Sequence, residues 1–269
     1  MRLTIAASSF LAFASTAGAQ QNPFVLDGGP AGTARITYQA AYDGRPQVKW
    51  TAIHTNGVHL LKSDPVDATG KPTVTFYVRT TPDSNYLWSG VGKARAPGDV
   101  RRSVRGHLAA AFKALDRASQ QQVLANMRAL AKQKGGGLDG VSQIAMTPAG
   151  KGSYAGHTCD RYRAGKDEAC VLTGSSTVML YWSTSNGRQT YTATSVKLGG
   201  SVASELAPPQ GVRFRPDGDV DGEELFAEIY GLLNPDVEEP PAFTEFARTV
   251  MRFLARPDAI AKLEELKDS

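Results

Sequence analysis

HTCDRYRAGKDEACV, residues 157–171, holds both cysteines of the chain on either side of a turn signal. Ala164-Gly165 marks the turn, and the segments flanking it read as two strands of a β-hairpin. A four-residue loop, Arg163 to Lys166, would place Cys159 opposite Cys170 and Arg161 opposite Glu168. At a non-hydrogen-bonded cross-strand pair the Cβ atoms approach most closely, which suits a disulfide. Closing so small a loop contributes about 2–3 kcal/mol. A redox or metal pair would call for CxxC spacing or a second ligand set nearby, and the sequence has neither. The hairpin therefore predicts an antiparallel sheet with one staple.

Strand signals extend to both sides. Ile36, Tyr38, Ala40 and Tyr42 alternate before the turn Asp43-Gly44-Arg45-Pro46. Val48, Trp50 and Ala52 alternate again, and Asn56-Gly57 turns the chain into Val58 to Leu61. Val74, Phe76 and Val78 form a further run, and Asn85 to Trp88 adds a short one. Strands are also expected over Val141 to Met146, Val178 to Trp182 and Tyr191 to Leu198.

Between these groups the period changes. From Pro97 to Lys134, Val100, Val104, Leu108, Ala111, Phe112 and Leu115 recur at helical steps. A second helix is expected to start at Ser119, where Ser119 and Gln122 have capping-box spacing. After Ala207-Pro208-Pro209 the chain turns acidic and helical over Gly222 to Leu233, Ala242 to Leu254 and Pro257 to Leu266. Prolines 235, 240, 241 and 257 separate these helices, because proline lacks the donor a helix interior needs.

The 269 residues are 41% hydrophobic and 21% charged. That excludes a disordered tail protein, a collagen-like chain and a polytopic membrane protein. The net charge of +4 points to no particular partner. Residues 1–19 read as a signal peptide: Arg2, then an uncharged stretch from Ile5 to Ala17, then Ala17-Gly18-Ala19 for the peptidase. The stretch is too short for a span of about 20 apolar residues. The expected product is exported, periplasmic or secreted, with no transmembrane segment in the mature chain.

The segment Ala155-Gly156-His157-Thr158-Cys159-Asp160-Arg161-Tyr162, leading to Glu168-Ala169-Cys170, resembles uncharacterised exported bacterial proteins of the DUF4412-like kind. In those proteins a Gly-x-x-Cys-x-x-Tyr strand hairpins to a strand ending near Glu-x-Cys. The helix from Leu115 to Leu130 is similar to one that precedes their hairpin. The resemblance spans about residues 100–175 and implies a curved antiparallel sheet around a central helix, with no catalytic residues to carry over.

Together these readings predict an α+β fold: a curved, mostly antiparallel sheet packed on a central helical segment, with a helical C-terminal tail. The expected organisation is a signal peptide over 1–19, an α+β domain with the disulfide hairpin over 20–207, and an acidic helical tail over 208–269 packed on it.

Three features bear on function. Trp50 and Phe76 lie on strand faces with Tyr38, Tyr42 and Trp88, and Phe112 lies on the helix. An apolar cavity between sheet and helix, lined by Trp50, Phe76 and Phe112, would make the protein a non-catalytic carrier of a lipid or apolar small molecule. The plain alternative is that these residues are core. Asp217, Asp219, Asp221 and Gly222, with Glu228 at the twelfth position, satisfy the calcium-loop template D-x-D-x-D-G-x5-E. A calcium-dependent structural or adhesion module would follow. Glu224 at the usually aliphatic eighth position and the preceding prolines favour instead an acidic turn capping a helix. An envelope enzyme is the third class, but no G-x-S-x-G or H-E-x-x-H motif supplies a nucleophile or ligand pair.

The basic stretch from Lys93 to Lys134 reads as a solvated helix face, not a nucleic-acid reader, for it carries no reader motif. Ser89-Gly90-Val91-Gly92-Lys93 lacks the leading glycine and the hydroxyl of a phosphate loop. His54 and His59 flank the Asn56-Gly57 turn and are placed to face each other, an incomplete metal site.

Overall fold

A computed structural model describes residues 22–64, 71, 74–91, 97–133, 147–184, 187–216 and 243–267. The strands are β1 (Thr33–Tyr42), β2 (Arg45–Thr55), β3 (Val58–Ser63), β4 (Val74–Thr80), β5 (Ser84–Val91) and β6 (Gly98–Arg102). They continue as β7 (Thr147–Tyr154), β8 (His157–Ala164), β9 (Asp167–Leu172), β10 (Met179–Thr184), β11 (Gln189–Leu198) and β12 (Phe214–Pro216). The helices are α1 (Arg105–Lys113), α2 (Arg117–Gln133), α3 (Phe243–Leu254) and α4 (Ala259–Lys267). The chain divides into two compact units, one holding the sheet and one the helices.

All twelve strands join one sheet in the order β12-β6-β5-β4-β3-β2-β1-β11-β10-β9-β8-β7. Two sequence-local blocks, β2 to β5 and β7 to β11, grow by hairpins. They meet where β1 pairs with both β2 and β11. The β6–β12 pair is parallel, so the sheet is mixed. Buried residues alternate along β1 at Ala34, Ile36, Tyr38 and Ala40, as the period of two requires. The turn at Asn56-Gly57 sets Gly57 at φ 86° and aligns His54 with His59.

On the opposite face from Tyr38, residues Ile53, Leu60, Tyr77 and Val202 form a core with Tyr86, Trp88, Leu206 and Phe214. The segment after β11 closes this face. The Tyr77 hydroxyl and the Arg79 guanidinium both donate to the Leu206 carbonyl, at 3.0 and 3.2 Å. Arg35 Nε donates to Glu205 Oε2 at 2.7 Å.

The helical unit has its own core, in which Leu108 and Phe112 of α1, Val123 and Met127 of α2, and Val250 and Met251 of α3 are buried together. Asp116 caps α2: its Oδ1 accepts from Ser119 N at 2.9 Å. The cap thus lies three residues before the expected Ser119, whose hydroxyl also donates to Asp116. Gln120 Nε2 donates to the carbonyls of Phe112 and Leu115 at 3.1 and 3.0 Å, satisfying the end of α1. Asn126 does the same for α3, donating to Leu254 O at 2.5 Å and Arg256 O at 2.9 Å.

These findings correct the expected fold class. The protein is β-dominated, with one large mixed sheet and four short helices among the described residues, and not an α+β sheet packed on a central helical segment. The reason lies in what meets the apolar faces. Those of α1 and α2 are met by α3 and α4, from the segment read as a tail. The helical pattern also started too early: Gly98–Arg102 is strand β6, pairing with β12, and helix begins only at Arg105. Helices were expected over 222–233 and a strand over 141–146; both stretches lie outside the described residues.

Candidate functional site: an aromatic row on the sheet

Cys159 and Cys170 form the disulfide, with Cα atoms 5.4 Å apart. The register differs from expectation by two residues. Ala164 pairs with Asp167, so the loop is only Gly165-Lys166, and Arg161, not Cys159, stands opposite Cys170. Gly165 accounts for the shorter loop, since its φ of 61° suits the first position of a two-residue hairpin turn. The bridge is therefore diagonal between β8 and β9, and both cysteines are fully buried. Arg161 still reaches Glu168, donating from Nε at 2.7 Å, with Arg163 beside it at 3.1 Å.

The face carrying Tyr38 bears a continuous row of five rings. Phe76 stacks on Trp50 at 5.9 Å, and Trp50 meets the edge of Tyr191 at 6.2 Å. Tyr191 stacks on Trp182 at 4.2 Å, and Trp182 meets Tyr38 edge-on at 4.8 Å. Backbone register puts all of them on one face: Tyr38 pairs with Trp50, and Tyr191 pairs with Ala40 and Trp182. Tyr38 and Trp182 are buried, whereas Trp50, Phe76 and Tyr191 are half-buried. The Tyr38 hydroxyl donates to Met179 O at 2.5 Å, which anchors the inner end of the row. Burial pushes the Tyr38 and Tyr191 hydroxyls above their ordinary range, so both stay neutral; Tyr38 donates to Met179 O, and Tyr191 accepts from Gln189 Nε2.

Two of the expected cavity residues, Trp50 and Phe76, thus come together. The third, Phe112, lies in the helical unit. Phe112 belongs to the helical core, 1% exposed and edge-on to Phe24 at 6.2 Å. Trp88 lies on the closed face of the sheet. Trp182 and Tyr191 were not singled out from sequence. Their alternation was visible, but only pairing of β11 with β1 brings them beside Trp50. Asp217, Asp219, Asp221 and Glu228 lie outside the described residues. Among the described residues no group of three or more His, Cys, Asp or Glu side chains is arranged to hold a metal ion.

A polar knot sits at the far end of the same sheet. The Asp27 carboxylate accepts hydrogen bonds from Gly29 N and Ser176 N, both at 2.8 Å, from Ser175 Oγ at 2.7 Å, and from the Ser176 hydroxyl. Burial pushes this carboxyl up, but the bonds from Ser176, Ser175 and Gly29 outweigh it and hold it below the usual range. Thr177 Oγ1 donates to Asp27 O at 3.1 Å, and His59 Nε2 lies 3.3 Å from the same oxygen. His54 packs edge-on against His59 at 4.4 Å. Neither ring nitrogen of His54 has a hydrogen-bond partner among the described residues. Burial lowers His54 to about 4, against the opposing pull of Asp27. The Asp27 carboxylate is met by the loop serines, so the knot fastens the segment before β1 to the β9–β10 loop.

Neither a family model nor a curated protein matches the sequence. Among solved structures, the chain is similar to PNGF-II at 11% identity and a TM-score of 0.41, over 72% of this chain and 33% of that one. It is similar to an uncharacterised conserved protein from Thermus thermophilus at 7% identity and a TM-score of 0.37, over 70% of this chain and 92% of that one. MucB aligns at 11% identity and a TM-score of 0.28, over 68% and 59% of the respective chains. The chain spans about a third of the length of PNGF-II. At these scores the likenesses carry no functional argument. No helix among the described residues is long and apolar enough to cross a membrane.

Proposed function

We propose that the protein is an exported, non-catalytic binding protein of the cell envelope, which holds an apolar small molecule or lipid against the aromatic row. The carrying observation is the row itself: five rings in contact on one sheet face, three of them half-exposed. Aromatic faces offer large apolar area at little conformational cost, and ligand sites are lined mainly by such groups. The other face is closed by its own core and by residues 202–206. Support for export comes from the signal-like residues 1–19 and from the disulfide, which persists in oxidising compartments.

Native mass spectrometry of the protein purified from an oxidising compartment tests this. A co-purifying adduct of lipid size is expected, and it should be lost in a Trp50→Ala/Phe76→Ala variant that keeps the native circular dichroism spectrum. An adduct retained by that variant would place the ligand elsewhere.

A further inference from the structure

A second apolar site lies within the helical unit. A cavity of about 410 Å³ opens between α1 and α3, a volume within the range of small-molecule sites. Ala110 and Ala111 of α1, its C-cap Ala114, Leu115 and Met251 form the apolar lining, with Ala110 and Ala114 at the exposed edge. Alanines stop at Cβ, so an unbranched chain can approach the helix backbone closely along this lining.

The mouth is cationic. Arg248 and Arg252 stand four residues apart on α3 and so share one helix face. Arg248 gives one nitrogen to Glu245 at 2.8 Å, which leaves the rest of its fork available. Arg252 is exposed and has no ion-pair partner among the described residues. Among the described residues no acidic side chain lines the cavity. Thr244 Oγ1 lies 3.3 Å from His107 Nδ1 and ties the two helices together at one end.

We infer that this cavity binds a single-chain fatty carboxylate, its head group held by Arg248 and Arg252 and its alkyl chain laid along the alanine lining. Charge complementarity selects the head group, because the guanidinium fork matches a carboxylate in a bidentate geometry. The alanines and Leu115 give the alkyl chain an apolar strip to lie along. Its lining shares no residue with the aromatic row.

Isothermal titration calorimetry with laurate, below its micelle concentration, tests the inference on the full chain. Saturable binding of one laurate that survives Trp50→Ala is expected. Arg248→Gln/Arg252→Gln, both at exposed positions, should weaken it about tenfold or more. Ala111→Trp should abolish it by filling the cavity, and Ala111→Ser, which keeps the space, should retain it. Acetate should give no heat. Absence of laurate binding, or binding unchanged in the double arginine variant, would overturn the inference.

Discussion

Gly152 of β7 lies against the Cys170 sulfur: a Cβ at residue 152 would come within 2.9 Å of Sγ and within 3.1 Å of the Arg161 side chain. Residue 152 also pairs with Cys159 across the β7–β8 ladder. The diagonal disulfide therefore occupies room that only glycine leaves. Gly152→Ala is expected to cost about 1–3 kcal/mol through overpacking. In a Cys159→Ala/Cys170→Ala background the same substitution should cost clearly less, since the sulfur is gone. Denaturant unfolding of the four proteins measures this coupling, and equal costs in both backgrounds would remove the sulfur as the cause.

Acid should destabilise the sheet unit through His54. Its folded value is depressed to about 4 from 6.5, so the unfolded chain binds the proton first as pH falls. Stability is full above about pH 6.5 and drains as the pH approaches 4, by about 3 kcal/mol in all. The titratable groups facing it are His59 across the hairpin and Asp27 of the knot. Asp27, held below 3.8, adds a further loss as the pH falls below its unfolded value. His54→Phe should flatten the stability profile between pH 6.5 and 4 while leaving the steeper fall below it. An unchanged slope in urea unfolding across that window would show that His54 does not govern it.

Asp27→Asn removes the charge that the two serines and two backbone N–H groups converge on. Bonds to a charged acceptor contribute more than neutral ones, so a loss of about 2–3 kcal/mol is expected. The segment before β1 should then become the first site of limited proteolysis, read by mass spectrometry of the fragments. Protection equal to that of the unmutated chain would show that the knot is not what fastens it.

In the helical unit, Asn126→Leu leaves the Leu254 and Arg256 carbonyls without their side-chain donor. Leaving such buried groups unsatisfied costs about 1–3 kcal/mol. Amide exchange should accelerate at the C-terminal end of α3 and leave the sheet unaffected. A uniform change across both units would contradict this local role.

Much of the sheet was legible because its strands announce themselves locally. Alternation places β1 to β5 and β8 to β11, and the Asn56-Gly57 turn sets His54 opposite His59. With only two cysteines the disulfide partner was determined, but its register was not. A two-residue and a four-residue loop around Gly165 both satisfy the alternation, because a shift of two keeps every side chain on its face. The large errors came from non-local pairing. Periodicity shows that α1 and α2 have apolar faces, but not that residues 243–267 supply what meets them. Strand β6 was hidden because Val100 and Val104 also fit a helical step. The aromatic row depends on β1 joining β11, a contact between residues about 150 apart in sequence that no local pattern encodes. The Asp27 knot joins residues about 150 apart in sequence, which no local pattern pairs.

The most direct test of the binding proposal uses the three tryptophans, of which Trp50 and Trp182 belong to the row and Trp88 to the closed face. The neutral apolar fluorophore N-phenyl-1-naphthylamine is titrated into a Trp88→Phe variant, and energy transfer from the remaining two indoles is followed. Saturable transfer, lost in Trp88→Phe/Phe76→Ala/Tyr191→Ala and reversed by an added lipid extract, is the predicted result. Non-saturable transfer, or saturable transfer unaffected by removing Phe76 and Tyr191, would contradict a ligand on this row.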